Sequence, residues 1–116
     1  MPLWDVYEKT SDKGMLAAYI VEEFGVPVGY SVFFITPHVH YSTLLVAEND
    51  ILFLKKEYRG MGLGSKLIDT CEYLLRQRGV GKVQWHIKAG FNWSRILKKR
   101  KYKLEDYIYG RILVGV

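Results

Sequence analysis

Leu63, Leu67, Ile68, Cys71, Leu74 and Leu75 recur at helical spacing, so that one stripe of the segment is apolar. Lys66, Asp69, Glu72, Arg76 and Gln77 take the other face. The pattern predicts an amphipathic helix from Gly64 to Arg78, stopped by Gly79. Elsewhere the apolar residues come in strand-like runs. Met15 to Val21 and Val28 to Thr36 read as two strands, the second rich in β-branched and aromatic residues. Glu22 to Pro27, with Gly25 and Pro27, reads as the hairpin turn between them. Asp50 to Leu54 is apolar almost throughout, as a central strand covered on both faces would be. Pro37 to Asn49 reads as a connection with a short extended piece at Thr43 to Ala47. Lys82 to Lys88 is a further strand. Asn92 is a candidate N-cap for a second helix through Arg100, and Tyr102 to Val114 is a last extended region, broken near Glu105 to Tyr107. Residues 1 to 14 are mixed in character and end in a turn, Ser11-Asp12-Lys13-Gly14.

The order is therefore strand, strand, strand, helix, strand, helix, strand, without repeat, low-complexity tract or linker. At 116 residues this is one domain, 1–116. Nine Tyr, five Phe and three Trp supply ample material for one core. No apolar run approaches the roughly 20 residues that span a bilayer. The start, MPLWDVYEK, is charged too early for a signal peptide. The single cysteine, Cys71, excludes an internal disulfide and reads as a packing residue of the apolar stripe. A soluble cytoplasmic protein is the expectation. The net charge of +5 suits a polyanionic small molecule or nucleic acid equally.

The sharpest chemical signal is Ile51 to Gly64, ILFLKKEYRGMGLG, where an apolar strand runs into an arginine, three alternating glycines and the predicted helix. Phosphate-binding loops are built this way. Glycine lets the backbone approach an anion closely, and a helix start offers unpaired N–H groups at the positive end of its dipole. A Walker loop needs lysine directly after glycine, but here the order is Gly64-Ser65-Lys66. A Rossmann fingerprint needs G-x-G-x-x-G, but the glycines stand at Gly60, Gly62 and Gly64.

The arrangement Arg59-x-x-Gly62-x-Gly64 resembles motif A of the GCN5-related N-acetyltransferases (GNAT), written R/Q-x-x-G-x-G/A. The chain looks closest to short stand-alone members carried by phages and mobile elements. The resemblance covers about residues 15 to 113; only motif A is specific, and the rest is order and spacing. It implies an α/β (α+β) domain with a mixed, mostly antiparallel sheet flanked by two main helices. It also implies acetyl-CoA as co-substrate, held by backbone N–H groups of Gly60, Met61, Gly62, Leu63, Gly64 and Ser65, with Arg59 beside them. Phe53 and Leu54 would pair with the pantetheine arm in a gap that opens towards the strand at Val83 to Ile87. The family also opens with a strand and two helices, and too few residues precede Met15 for both helices. The acceptor wall they build is then open or borrowed. The apolar surface left beside the first strand predicts a homodimer.

Acetyl transfer to an amine needs a base and a way to discharge the thiolate. Asp50 is the first candidate base, because the family places an acid near this point; a strand-end Asp capping a turn is the bland alternative. Glu48 is the next carboxylate. His38 and His40 lie at alternate positions after the second strand, and His40 is a candidate base or a polar wall of the acceptor pocket. No third ligand follows at a spacing that tells of a metal, so none is expected. The family's acid is a tyrosine four or five residues before a Gly-Phe or Gly-Tyr pair. Here the pair is Lys101-Tyr102 and the tyrosine position falls on Leu97 or Lys98, leaving Ser94 as a weak substitute.

Lys98, Lys99, Arg100, Lys101 and Lys103 form a dense basic run. It suits a solvated helix end, the CoA 3′-phosphate, or nucleic acid, the last helped only by nearby Trp93 and Tyr102. Three readings follow. The first is an N-acetyltransferase acting on a primary amine in a ternary complex. The second is a non-catalytic CoA- or protein-binding module on the same fold. The third, least supported by the loop glycines, is a basic nucleic-acid binder. No membrane partner is expected.

Overall fold

Alternation of apolar residues builds the sheet, and the computed structural model shows five strands and two helices. It describes residues 4–11, 14–37, 44–60, 62–87, 93–106 and 108–115. Strands β1 (Trp4–Thr10), β2 (Leu16–Glu23), β3 (Val26–Pro37) and β4 (Leu45–Leu54) form an antiparallel meander. A 3₁₀ turn at Lys56–Tyr58 leads to helix α1 (Leu63–Gln77), then to β5 (Val80–Gln84) and helix α2 (Ser94–Lys99). β5 pairs parallel with β4, so the sheet order is β1-β2-β3-β4-β5 and the sheet is mixed but mostly antiparallel.

Strand β1 was not foreseen. Its alternation is short and interrupted by charge, yet it pairs along its length with β2, and Val6 packs against the core. Charged residues suit an edge strand, where they discourage pairing with other chains. At the turn expected at residues 11–14 the Gly14 amide donates to the Ser11 carbonyl at 2.9 Å, while Asp12 and Lys13 lie outside the described residues. Only residues 11–15 join β1 to β2, too short a link to hold the family's two helices.

The stretch read as a connection before Asp50 is instead the first half of β4. Glu48, Asn49 and Asp50 mask it, because a bulge falls there: Phe33 pairs with Asn49 and Val32 with Ile51, leaving Asp50 as the extra residue. β4 is not covered on both faces either, since Ile51 is 42 % exposed. β5 starts two residues earlier than expected, directly after Gly79. Lys88 and Asn92 lie outside the described residues. Tyr102 to Val114 forms no strand among its described residues.

One face of the sheet is buried under α1. Ala17, Tyr19 and Val21 of β2 and Phe33 of β3 meet Leu63, Leu67, Cys71 and Leu75, all fully buried. Phe33 stands edge-on between Tyr19 and Trp85, with ring centroids 5.9 and 5.0 Å away. Burial pushes the Cys71 thiol up to about 12, so this cysteine is inert packing.

Candidate functional site

The site is assembled where β4 ends and α1 begins. The β4–β5 ladder runs from Leu45↔Val80 to Glu48↔Gln84 and stops, while β4 continues to Leu54 paired with β3 alone. Beyond Glu48 the β5 side of β4 therefore carries backbone groups without a ladder partner among the described residues. That unpaired edge leads straight to the glycine loop.

The three glycines do different work. Gly60 and Gly62 take φ of +79° and +80°, and a Cβ built on either meets nothing within 4 Å. The backbone turns tightly there beneath open space, which is what close approach by an anion requires. Gly62 caps α1, a helix of 15 residues whose first-turn N–H groups point back towards the loop. Gly64 is helical, and a Cβ on it would lie 2.8 Å from the Trp93 ring. Its smallness lets Trp93, at the start of α2, cross the first turn of α1. Leu63 is fully buried and anchors that turn, whereas Ser65 is half-buried. Arg59 donates from Nε to the Leu54 carbonyl at 2.9 Å, fastening the loop to the end of β4. Tyr58 Oη donates to Glu23 Oε1 at 2.9 Å and ties the preceding turn to β2. Met61 lies outside the described residues.

Asp50 is exposed in the middle of β4 rather than at its start. Leu54 lies four positions further on, about 13 Å along the strand. Phe53 is half-buried and its ring lies 5.4 Å from that of Tyr30; Leu54 is buried in the core. Glu48 is exposed across from Phe34. The structure therefore lines up Asp50, Phe53, Leu54 and the loop along one strand and its continuation. His38 and His40 lie outside the described residues. Among the described residues no group of three His, Cys, Asp or Glu is placed to hold a metal.

Sequence reasoning missed Asn49. Its side chain is fully buried at the bulge, where Nδ2 donates to Ser31 Oγ and the Ile51 carbonyl at 3.0 Å and to the Val32 carbonyl at 3.2 Å. This brace holds the kink that presents Asp50 to solvent. A polar residue between two strand halves was the only signal, and it looked like a loop.

At α2, Leu97 is buried and Lys98 exposed, so neither presents a phenol. Ser94 is exposed on the first turn, directly after Trp93. Lys101 takes φ of +65°, the left-handed conformation of a helix C-terminal glycine. The basic run is divided. Arg100 is engaged by Asp69 of α1 through two parallel bonds from one guanidinium edge, Nη2 to Oδ2 at 2.9 Å and Nε to Oδ1. That bond holds the Asp69 carboxyl below its ordinary value, burial opposing it. Lys98, Lys99, Lys101 and Lys103 remain exposed.

The sequence matches the family described as Acetyltransferase (GNAT) family over residues 2–96. This chain belongs to the GNAT acetyltransferases. The match reaches into β1, which the motif alone did not. No curated protein matches the sequence. Among solved structures it is similar to a ribosomal-protein-alanine N-acetyltransferase from Brucella melitensis biovar Abortus 2308, at TM-score 0.74 and 16 % identity, covering 97 % of this chain and 100 % of that one. A putative acetyl transferase from Pyrococcus furiosus superposes at TM-score 0.71 and 20 % identity, covering 90 % and 68 %. Glucosamine-6-phosphate N-acetyltransferase from Arabidopsis thaliana does so at TM-score 0.71 and 13 % identity, covering 86 % and 68 %. At these identities the likeness is one of fold. The mixed sheet flanked by two helices is thus the GNAT fold, as the glycine loop implied.

Proposed function

We propose that this GNAT domain transfers acetyl from acetyl-CoA to a primary amine by direct attack. The observation that carries the reading is the unpaired edge of β4 running into a glycine turn that caps a long helix. An extended pantetheine amide chain would pair with the edge near Phe53 and Leu54. The pyrophosphate would sit over Gly60 and Gly62 against the first-turn N–H groups of Leu63, Gly64 and Ser65. Arg59, already committed to the Leu54 carbonyl, would hold the loop in shape rather than clasp phosphate alone.

The amine nitrogen attacks the thioester carbonyl carbon, a C–N bond forms, and collapse of the tetrahedral intermediate breaks the C–S bond. The ammonium proton passes to Asp50 through water, and CoA leaves as thiolate, a tolerable leaving group near neutral pH. Ser94 and His40 are the remaining candidates for proton transfer. Two observations favour a second reading, a CoA-binding module without turnover: buried Leu97 stands at the family's tyrosine position, and the five-residue link between β1 and β2 is too short for acceptor-wall helices.

The test couples binding to turnover. Calorimetry is expected to show acetyl-CoA binding that Gly62→Asp abolishes, since the carboxylate would stand where phosphate must lie. Asp tolerates positive φ better than most residues, so an unchanged melting curve would separate lost binding from lost folding. A thiol-release assay over an amine panel is expected to show turnover that falls about 10²–10⁴-fold in Asp50→Asn, with affinity retained. Binding without turnover on any amine would establish the second reading. Full affinity in Gly62→Asp would refute the loop assignment.

A further inference from the structure

The bulge at Asp50 is filled on one side and bare on the other. On the α1 side Ser31, Phe33 and Asn49 are fully buried, so no substrate body fits beneath the bulge. On the opposite face the register sets Leu16 beside Phe34, Phe34 beside Glu48, and Val32 beside Ile51. Phe34 is 49 % exposed, Ile51 42 % and Leu16 37 %, and Val32 is half-buried. Three strands thus contribute adjoining apolar side chains to one solvent-facing floor, the kind of patch that marks a binding surface. Glu48 and Asp50 border it. Both are exposed, and neither takes part in an ion pair among the described residues. The described cations nearest this floor are distant or engaged. Lys9 lies on β1, with β2 and β3 between it and Ile51, and Lys82 is held by Glu105 at 2.9 Å.

We propose that this floor receives the acceptor, that the acceptor is a small primary amine carrying an aryl or alkyl group, and that Phe34 selects it. The inference rests on the transfer reading above, with Asp50 at the head of the edge that acetyl-CoA would occupy. The β5 side of β4 is then taken by the cofactor and the α1 side by the core, which leaves the open face as the way in. An ammonium group there is drawn by Glu48 and Asp50, and its apolar body covers Phe34 and Ile51. Cross-strand partners stand about 5 Å apart, so a carboxylate at Glu48 and a ring at Phe34 suit a nitrogen and an apolar group joined by a short tether. Polyamines and amino sugars match the carboxylates but set polar atoms against apolar side chains. The short link between β1 and β2 agrees with this arrangement: without helices from that link over this face, the sheet itself serves as the acceptor wall.

Thiol release by the full chain is the first measurement, with phenethylamine, ethanolamine, putrescine and a short peptide with a free N-terminus as acceptors. Phenethylamine is expected to exceed each of the others in kcat/KM by about tenfold or more, the usual worth of an apolar group in its pocket. Phe34→Ser is expected to raise KM for phenethylamine about tenfold and to erase the preference, with acetyl-CoA affinity retained. The same replacement at Tyr73, an aromatic residue of α1 that is 61 % exposed, is the control and should keep the preference. Binding is read separately, from amide shifts of the CoA-loaded protein on adding phenethylamine, expected at residues 32–34 and 51. Shifts there without any turnover sustain the floor and refute transfer. Turnover without preference for phenethylamine, or a preference that survives Phe34→Ser, overturns the proposal and leaves transfer standing. Neither turnover nor shifts overturns both.

Discussion

The two faces of the sheet are made from alternate residues of the same strands, yet one is dry and the other wet. On the α1 side Ala17, Tyr19, Val21 and Phe33 are fully buried. Their immediate neighbours Leu16, Phe34, Tyr30 and Ile51 on the other side are 37 % to 49 % exposed. Hydrophobicity does not separate the two sets. What separates them is the crossover from β4 to β5, which must carry a helix because parallel strands need a long connection. That helix is laid on one face. The five-residue link from β1 to β2 supplies nothing for the other. The covered face is therefore where the fold's stability resides, and the open face is free to differ.

Truncating the covered face should have the largest effect. Leu67→Ala removes a fully buried side chain between α1 and the sheet and is expected to cost about 2–5 kcal/mol. The shift in urea midpoint at constant slope measures it. A loss under about 1 kcal/mol would mean that the helix stripe is not the core.

A smaller effect is expected where α2 is tethered on the covered side. Asp69→Asn breaks the pair with Arg100, but the Asp69 side chain is 55 % exposed, so the loss should stay near or below about 1 kcal/mol. The pH dependence has a definite sign. The Asp69 carboxyl lies below its ordinary value in the folded state, so the pair's contribution is complete above the unfolded carboxylate range, about pH 4, and disappears as pH falls through the folded value. Parent and variant stabilities should converge in acid and part at neutral pH. A gap that widens in acid would contradict the assignment.

The smallest effect belongs to the open face. Phe34→Ser replaces an aromatic ring that is 49 % exposed and is expected to change stability by no more than about 0.5 kcal/mol. A change comparable with Leu67→Ala would show that this face is covered in solution, and the comparison of the two faces would fail.

Much of this was legible in the chain. The α1 stripe from Leu63 to Leu75 could be read because helical periodicity is a local property, repeated over four turns. The loop could be read because glycine at three alternate positions between a strand and a helix has few other uses. β2 and β3 could be read because one face of each alternates strictly. The candidate chemistry at Asp50 came only through the family likeness.

The rest depended on contacts distant in sequence. β1 is a strand because β2 offers it an edge, not because WDVYEKT favours one strongly. β4 continues through Glu48, Asn49 and Asp50 because a buried amide satisfies the bulge from Ser31 and Val32, residues far away along the chain. The smallness of Gly64 also serves Trp93, 29 positions later, a contact that the loop pattern alone did not show. Residues 108–114 carry strand propensity, yet among the described residues they form no strand, since a ladder needs a partner as well as propensity. Period and turn chemistry are written in neighbouring residues, so the sequence by itself determined the helices, the loop and the alternation. Which alternating face is covered, which edge is paired and which loop glycine packs against a tryptophan depend on long-range packing, and only the tertiary structure decided them.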